Sequence, residues 1–135
     1  MVFGSSPAVS NGVVYIASFQ EPGSSQSKLY AFNANGCGIP LCRPLWTADA
    51  GEFVQSSPAV AKGRVYIGSG DDLLYAFDAN GCNQPTCTAL WRGEAVGAQA
   101  ALVSSPTVVN GTVYFGSADQ LAPPIGRLYV FKLSQ

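Results

Sequence analysis

The stretch Ser5-Ser6-Pro7-Ala8-Val9, SSPAV, returns as SSPAV at 56 to 60 and as SSPTV at 104 to 108. The residues after each copy are repeated too: NGVVYIAS at 11 to 18, KGRVYIGS at 62 to 69 and NGTVYFGS at 110 to 117. KLYAFNANGC at 28 to 37 then matches LLYAFDANGC at 73 to 82, with RLYVF at 127 to 131 as a third copy, and CRPLW at 42 to 46 matches CTALW at 87 to 91. The motif starts are 51 and then 48 residues apart. Self-similarity at such a period marks stacked structural units, each burying its apolar face against its neighbours. The repeats run approximately 5–55, 56–103 and 104–135.

Each repeat reads as up to four short strands. Asn11-Gly12 separates two apolar runs, Asn110-Gly111 does the same, and Lys62-Gly63 keeps the glycine; two-residue hairpin turns of this kind need positive φ and favour Asn-Gly. The LYAF run is a third strand, closed by Asn35-Gly36 or Asn80-Gly81, and the PLW segment at 44 to 46 or the ALW segment at 89 to 91 is a fourth. Pro7, Pro58 and Pro106 place the first strand at a sheet edge, because proline has no N–H to give to a ladder. Four antiparallel strands per repeat, with aromatic positions recurring, point to an all-β protein built of β-propeller blades. The chain supplies two full blades and three strands of a third, an incomplete ring. The connections between strands differ in length while the strands do not, so 19 to 27, 92 to 103 and 118 to 126 are the variable loops.

Composition agrees with short strands and turns. Charged residues are 11% of the 135, with 15 Gly and 9 Pro. The net charge of -1, with no run of Lys or Arg, excludes the footprint needed for nucleic acid or an anionic membrane. No apolar run reaches the ~20 residues of a membrane span. The first residues have neither the basic nor the apolar region of an export signal, so Met1 is not expected to be the natural start of an exported precursor.

Cys37 and Cys42, then Cys82 and Cys87, form two C-x4-C pairs 45 residues apart. An even count repeated in register argues for one local disulfide per repeat. Zinc and free thiols are the competing readings, and zinc would need four converging ligands from a chain with no His. Disulfides imply an oxidising compartment, hence a secreted or periplasmic protein.

The order of these residues resembles the quinoprotein-type, or PQQ-like, β-propeller repeat, whose blades carry A-x-D-x-x-T-G-K-x-x-W followed by S-S-P-x-V and V-Y-x-G-S. Asp78, Trp91, Ser104-Ser105-Pro106 and Val113 to Ser117 fit that order, as do Trp46, Ser56 and Pro58 in their copies. Asn33 stands where the pattern has Asp, and the 15 positions from Ala31 to Trp46 and from Ala76 to Trp91 are more than the pattern spans. The extra residues hold the cysteines.

The resemblance implies that a quinone dehydrogenase of this fold would hold pyrroloquinoline quinone and Ca2+ using a disulfide between adjacent cysteines, a Trp, an Asp base and acidic calcium ligands. None of that set can be placed here, so the quinone and Ca2+ are expected only if missing blades supply the site. With no His, a Ser-His-Asp or Cys-His arrangement is excluded within the chain. Asp71-Asp72 is the only acidic pair, and its setting before a strand reads as a turn, with a calcium ligand as the alternative. The serine pairs read as structural, and Tyr15, Tyr30, Tyr66, Tyr75, Tyr114 and Tyr129 read as packing between blades.

The function expected is therefore a non-catalytic extracytoplasmic module, a scaffold or binding surface within a larger propeller. The alternative is a segment of a quinone-dependent dehydrogenase; a scaffold in outer-membrane protein assembly is similar in fold. The partners expected are other blades of a longer chain, or identical chains that finish a ring.

Overall fold

The structure is a computed structural model that describes residues 2–94, 102–118, 123 and 125–133. In the first repeat, β1 (Val2–Phe3) and β2 (Ala8–Ser10) both pair with β3 (Val13–Gln20), after which come β4 (Gln26–Asn33) and β5 (Trp46–Glu52). In the second, β6 (Ala59–Ala61), β7 (Arg64–Gly68), β8 (Leu73–Asp78) and β10 (Trp91–Glu94) form one sheet in that order. Between β8 and β10 lies the two-residue β9 (Thr86–Cys87). In the third, β11 (Leu102–Val103) and β12 (Thr107–Val109) line one edge of β13 (Thr112–Ala118), and β14 (Gly126–Lys132) lines the other.

The hairpin turns form where glycine permits them. Asn11 and Gly12 have φ of 48° and 76°, and Lys62-Gly63 and Asn110-Gly111 repeat the pair, the left-handed geometry that matches strand twist. Each proline directly precedes its inner strand, Pro7 before β2, Pro58 before β6 and Pro106 before β12, so the missing N–H breaks no ladder. The acidic pair is a turn: the Leu73 N–H donates to Asp71 Oδ1 at 3.2 Å, and Asp72 has φ of 67°. The loop expected at 19 to 27 is shorter than its sequence suggested, because β3 runs to Gln20 and β4 starts at Gln26. Of the other variable loops, 95–101, 119–122 and 124 lie outside the described residues.

Core residues gather between sheets and not within one. Side chains alternate along a strand, so β8 turns Tyr75 and Phe77 toward the first repeat and Leu74 and Ala76 toward the third. One cluster joins Tyr15, Leu29, Ala31 and Trp46 to Val65, Ile67, Tyr75 and Phe77; the other joins Tyr66, Leu74 and Ala76 to Val113 and Phe115. Val65, Ile67, Leu74 and Phe77 are wholly buried, each worth roughly 1.5–3 kcal/mol relative to exposure. A blade removed from its neighbour would lose most of that. The fold is all-β, three antiparallel sheets stacked face to face in an arc.

One pairing departs from the antiparallel plan. β9, which belongs by sequence to the second repeat, adds to the outer edge of the first repeat's β5 in parallel, with Thr47 opposite Thr86 and Ala48 opposite Cys87. Two residues are too few for a periodic pattern to announce, and the partner strand lies some 40 positions earlier. The first sheet thereby gains a sixth strand beyond β1 to β5.

Candidate functional site

Two serine contacts recur from repeat to repeat and account for the motif that opens each repeat. The first serine closes its own blade: Ser5, Ser56 and Ser104 each present Oγ to a backbone N–H of the neighbouring strand, from Ala17 at 2.9 Å, Gly68 at 3.0 Å and Gly116 at 2.7 Å. The second serine joins two blades. Ser6 N–H donates to Ser57 Oγ at 2.9 Å, and Ser57 N–H donates to Ser105 Oγ at 2.9 Å. A hydroxyl that both donates and accepts suits a chain that must break its ladder at Pro58 without leaving an N–H unpaired.

At mid-seam the Tyr15 hydroxyl donates to the Ala79 carbonyl of the next repeat at 2.7 Å. Tyr15 and Tyr66 are buried, while Tyr114, their counterpart in the third repeat, is 37% exposed. At the outer end Trp46 packs over Gly81, where an added Cβ would stand 2.6 Å from the indole Cδ1. Gly81 ends a turn in which Asp78 Oδ1 accepts the Asn80 N–H, and Asn33 does the same for Asn35, both at 2.9 Å. Asn in place of Asp therefore keeps the turn. Trp91 meets Phe131 edge-on, with centroids 5.3 Å apart.

Both cysteine pairs are disulfides, Cys37–Cys42 and Cys82–Cys87, with Cα atoms 5.7 Å apart in each. They brace the turn leading into the Trp strand. The second is seated at the seam, where the Thr47 N–H donates to the Pro85 carbonyl at 2.9 Å and Cys87 is 4% exposed. A cleft of about 860 Å3 runs along this seam past Trp46, Thr47, Gly81, Gln84 and Pro85. No carboxylate lines it, and Arg43 is its one charged residue, so it offers shape and amide hydrogen bonds but no general acid or base.

Polar pairs that the sequence did not single out sit where β3 and β4, and β7 and β8, connect. Tyr30 Oη donates to Glu21 Oε1 at 2.7 Å, and Ser18 Oγ donates to the same carboxylate at 2.8 Å. In the second repeat Tyr75 Oη donates to Asp71 Oδ2, and Ser69 Oγ accepts the Glu52 N–H across the seam at 3.0 Å. Burial, with these carboxylates next in effect, raises both tyrosines well above the ordinary phenol value. The signal was present in the recurring Ser of V-Y-x-x-S, but the acid comes from loops of unequal length.

The disulfides join cysteines five positions apart at the outer ends of blades, and Trp46 is committed to Gly81. Among the described residues, no three His, Cys, Asp or Glu side chains converge as a metal site requires. No helix among them is long and apolar enough to cross a membrane.

Three solved structures share this fold over part of their length. The structure resembles quinohemoprotein alcohol dehydrogenase from Comamonas testosteroni (TM-score 0.62, 23% identity, 87% of this chain, 17% of that one). It also resembles BamB from Moraxella catarrhalis (0.64, 17% identity, 95% and 31%) and quinohemoprotein alcohol dehydrogenase ADHIIG from Pseudomonas putida HK5 (0.66, 24% identity, 97% and 19%). The chain thus spans less than a third of each. No curated protein sequence matches it. A family model described as outer membrane protein assembly factor BamB matches residues 1–134. With its repeats, seam contacts and sheet order accounted for, the chain belongs to this PQQ-like β-propeller repeat family.

Proposed function

We propose that the chain is a non-catalytic, extracytoplasmic module of a larger propeller, serving as a scaffold or binding surface. One observation carries this reading. The side chains that recur from repeat to repeat are committed to blade seams: the Ser57 and Ser105 hydroxyls each accept the backbone N–H of the matching serine in the preceding repeat, the Tyr15 hydroxyl donates to the Ala79 carbonyl, and Trp46 packs on Gly81. What is left to vary is loop surface, and surface presented by a rigid propeller is what binding modules use. The two disulfides support an oxidising compartment, and the family description, an outer membrane protein assembly factor, fits a scaffold.

The second reading, part of a pyrroloquinoline-quinone dehydrogenase, is favoured by the likeness to two quinohemoprotein alcohol dehydrogenases. In that case the site would lie on other blades of the larger protein. Titrating the chain with pyrroloquinoline quinone and Ca2+ while monitoring quinone absorbance separates the two. The scaffold reading expects no saturable change, and saturable binding by this chain defeats it.

A further inference from the structure

The second and first repeats carry the same element, once covered and once bare. Residues 35 to 42, NGCGIPLC, match residues 80 to 87, NGCNQPTC, position for position, and both are closed by a disulfide with the same Cα separation of 5.7 Å. The second loop has a partner: it adds to β5 in parallel and takes the Thr47 N–H on the Pro85 carbonyl. The first has none among the described residues. An added Cβ on Gly36 would meet nothing within 4 Å, where one on Gly81 would strike Trp46. Ile39 and Leu41 are 64% and 86% exposed, and their counterparts Gln84 and Thr86 are exposed as well; the two copies differ at the second cysteine, where Cys42 is half-buried and Cys87 is 4% exposed.

We propose that the Cys37–Cys42 loop is a preformed clasp for the outermost strand of a neighbouring blade, which it would take as a parallel partner through the Pro40 carbonyl and the Leu41–Cys42 segment. The covered copy fixes the geometry, because the same turn, the same proline and the same disulfide set the same backbone groups in line. Other parts of the same side of the first repeat are bare in the same way. Pro7 is exposed where Pro58 and Pro106 are buried, and Val14 and Ile16 are half-buried where Val65 and Ile67 are wholly buried.

Loop and face must therefore dock together on one blade that carries its own outer strand. A second copy of this chain does not offer one. Its β10 has an outer strand's place in the second repeat, but the adjoining face is already occupied by Val113 and Phe115 of the third. The occupant is a four-stranded blade of the same propeller, on the side of the first repeat away from the second. This rests on the larger-propeller reading and not on the scaffold role.

Reduction of the two disulfides reads the clasp, since thiolate attack needs access to sulfur. In the chain as it stands, mass mapping under limiting dithiothreitol is expected to show Cys37–Cys42 opening about tenfold faster than Cys82–Cys87. A chain with residues 5–55 repeated once in front of Ser5 supplies the missing blade. The clasp adjacent to it should then slow to the Cys82–Cys87 rate, while the new outermost copy stays fast. A folded, monomeric extended chain in which that bond stays fast overturns the clasp and leaves the larger propeller standing. Protection that grows with protein concentration in the unextended chain also overturns it, because a second copy would then be the occupant. If the extended chain does not fold, the peptide of residues 44–52 offered at millimolar concentration to isotopically labelled chain provides the second measurement. Amide shifts confined to 36–42 support the clasp, and their absence there overturns it.

Discussion

Ser56 Oγ accepts the Gly68 N–H in a buried site, whereas Ser57 Oγ accepts the Ser6 N–H where water reaches. Loss of the first acceptor strands a buried donor, which costs about 1–3 kcal/mol, and loss of the second exchanges one hydrogen bond for another at about 0.5–1 kcal/mol or less. Ser56→Ala is therefore expected to destabilise the protein clearly more than Ser57→Ala in urea unfolding; equal midpoints for the two would refute the division of labour. The glycines make a second matched pair. Gly36 and Gly81 have φ of 76° and 81°, so alanine at either costs roughly 1–2 kcal/mol for the left-handed backbone. Only at Gly81 does the new methyl also meet Trp46, adding overpacking of about 1–3 kcal/mol. Gly81→Ala should unfold at lower denaturant than Gly36→Ala, and a common midpoint would mean that Trp46 yields freely. The sequence showed that these residues recur. It could not show which hydroxyl was buried or which glycine was covered, because position in the arc, and not residue type, decides that.

Strands were legible wherever two signals coincided. Apolar runs bounded by an Asn-Gly or Lys-Gly turn marked β3, β4, β7, β8 and β13, and the prolines placed the inner strands. β9 carried neither signal, and its existence depends on a disulfide loop reaching an earlier repeat. The two loops should therefore differ in worth although their sequences match. Closing a loop of about six residues contributes roughly 2 kcal/mol by chain entropy in either case. The Cys82–Cys87 loop additionally holds the Thr47 N–H and the packing of Cys87. Replacing Cys82 and Cys87 together by Ser is expected to cost at least about 1 kcal/mol more than replacing Cys37 and Cys42 together, the value of a hydrogen bond and its packing. Calorimetry on both double variants checks this, and equal losses would show that docking adds nothing beyond loop closure.

For the molecule as a whole, burial ties stability to tyrosine. Tyr15, Tyr30, Tyr66 and Tyr75 are all raised above the ordinary phenol value, first by burial. A carboxylate adds to the effect at Tyr30 through Glu21 and at Tyr75 through Asp71, while Arg64 opposes it at Tyr66. The phenol proton is also what each hydroxyl at Tyr15, Tyr30 and Tyr75 donates. Below the unfolded value of about 10, folded and unfolded chains both keep these protons, and stability does not depend on them. Above it the unfolded chain gives them up while the folded one holds them. Stability then falls with rising pH, by up to about 1.4 kcal/mol per pH unit for each such tyrosine, until the folded groups ionise too. With no His in the chain, no imidazole titrates between pH 5 and 8. The melting temperature should therefore drop steeply above about pH 10, with phenolate absorbance at 295 nm appearing together with unfolding. Tyr30→Phe and Tyr75→Phe remove two of the four groups, so the double variant should show a shallower alkaline slope. An unchanged slope, or phenolate signal that saturates well before unfolding, would mean that water reaches these hydroxyls and that they do not hold the fold together.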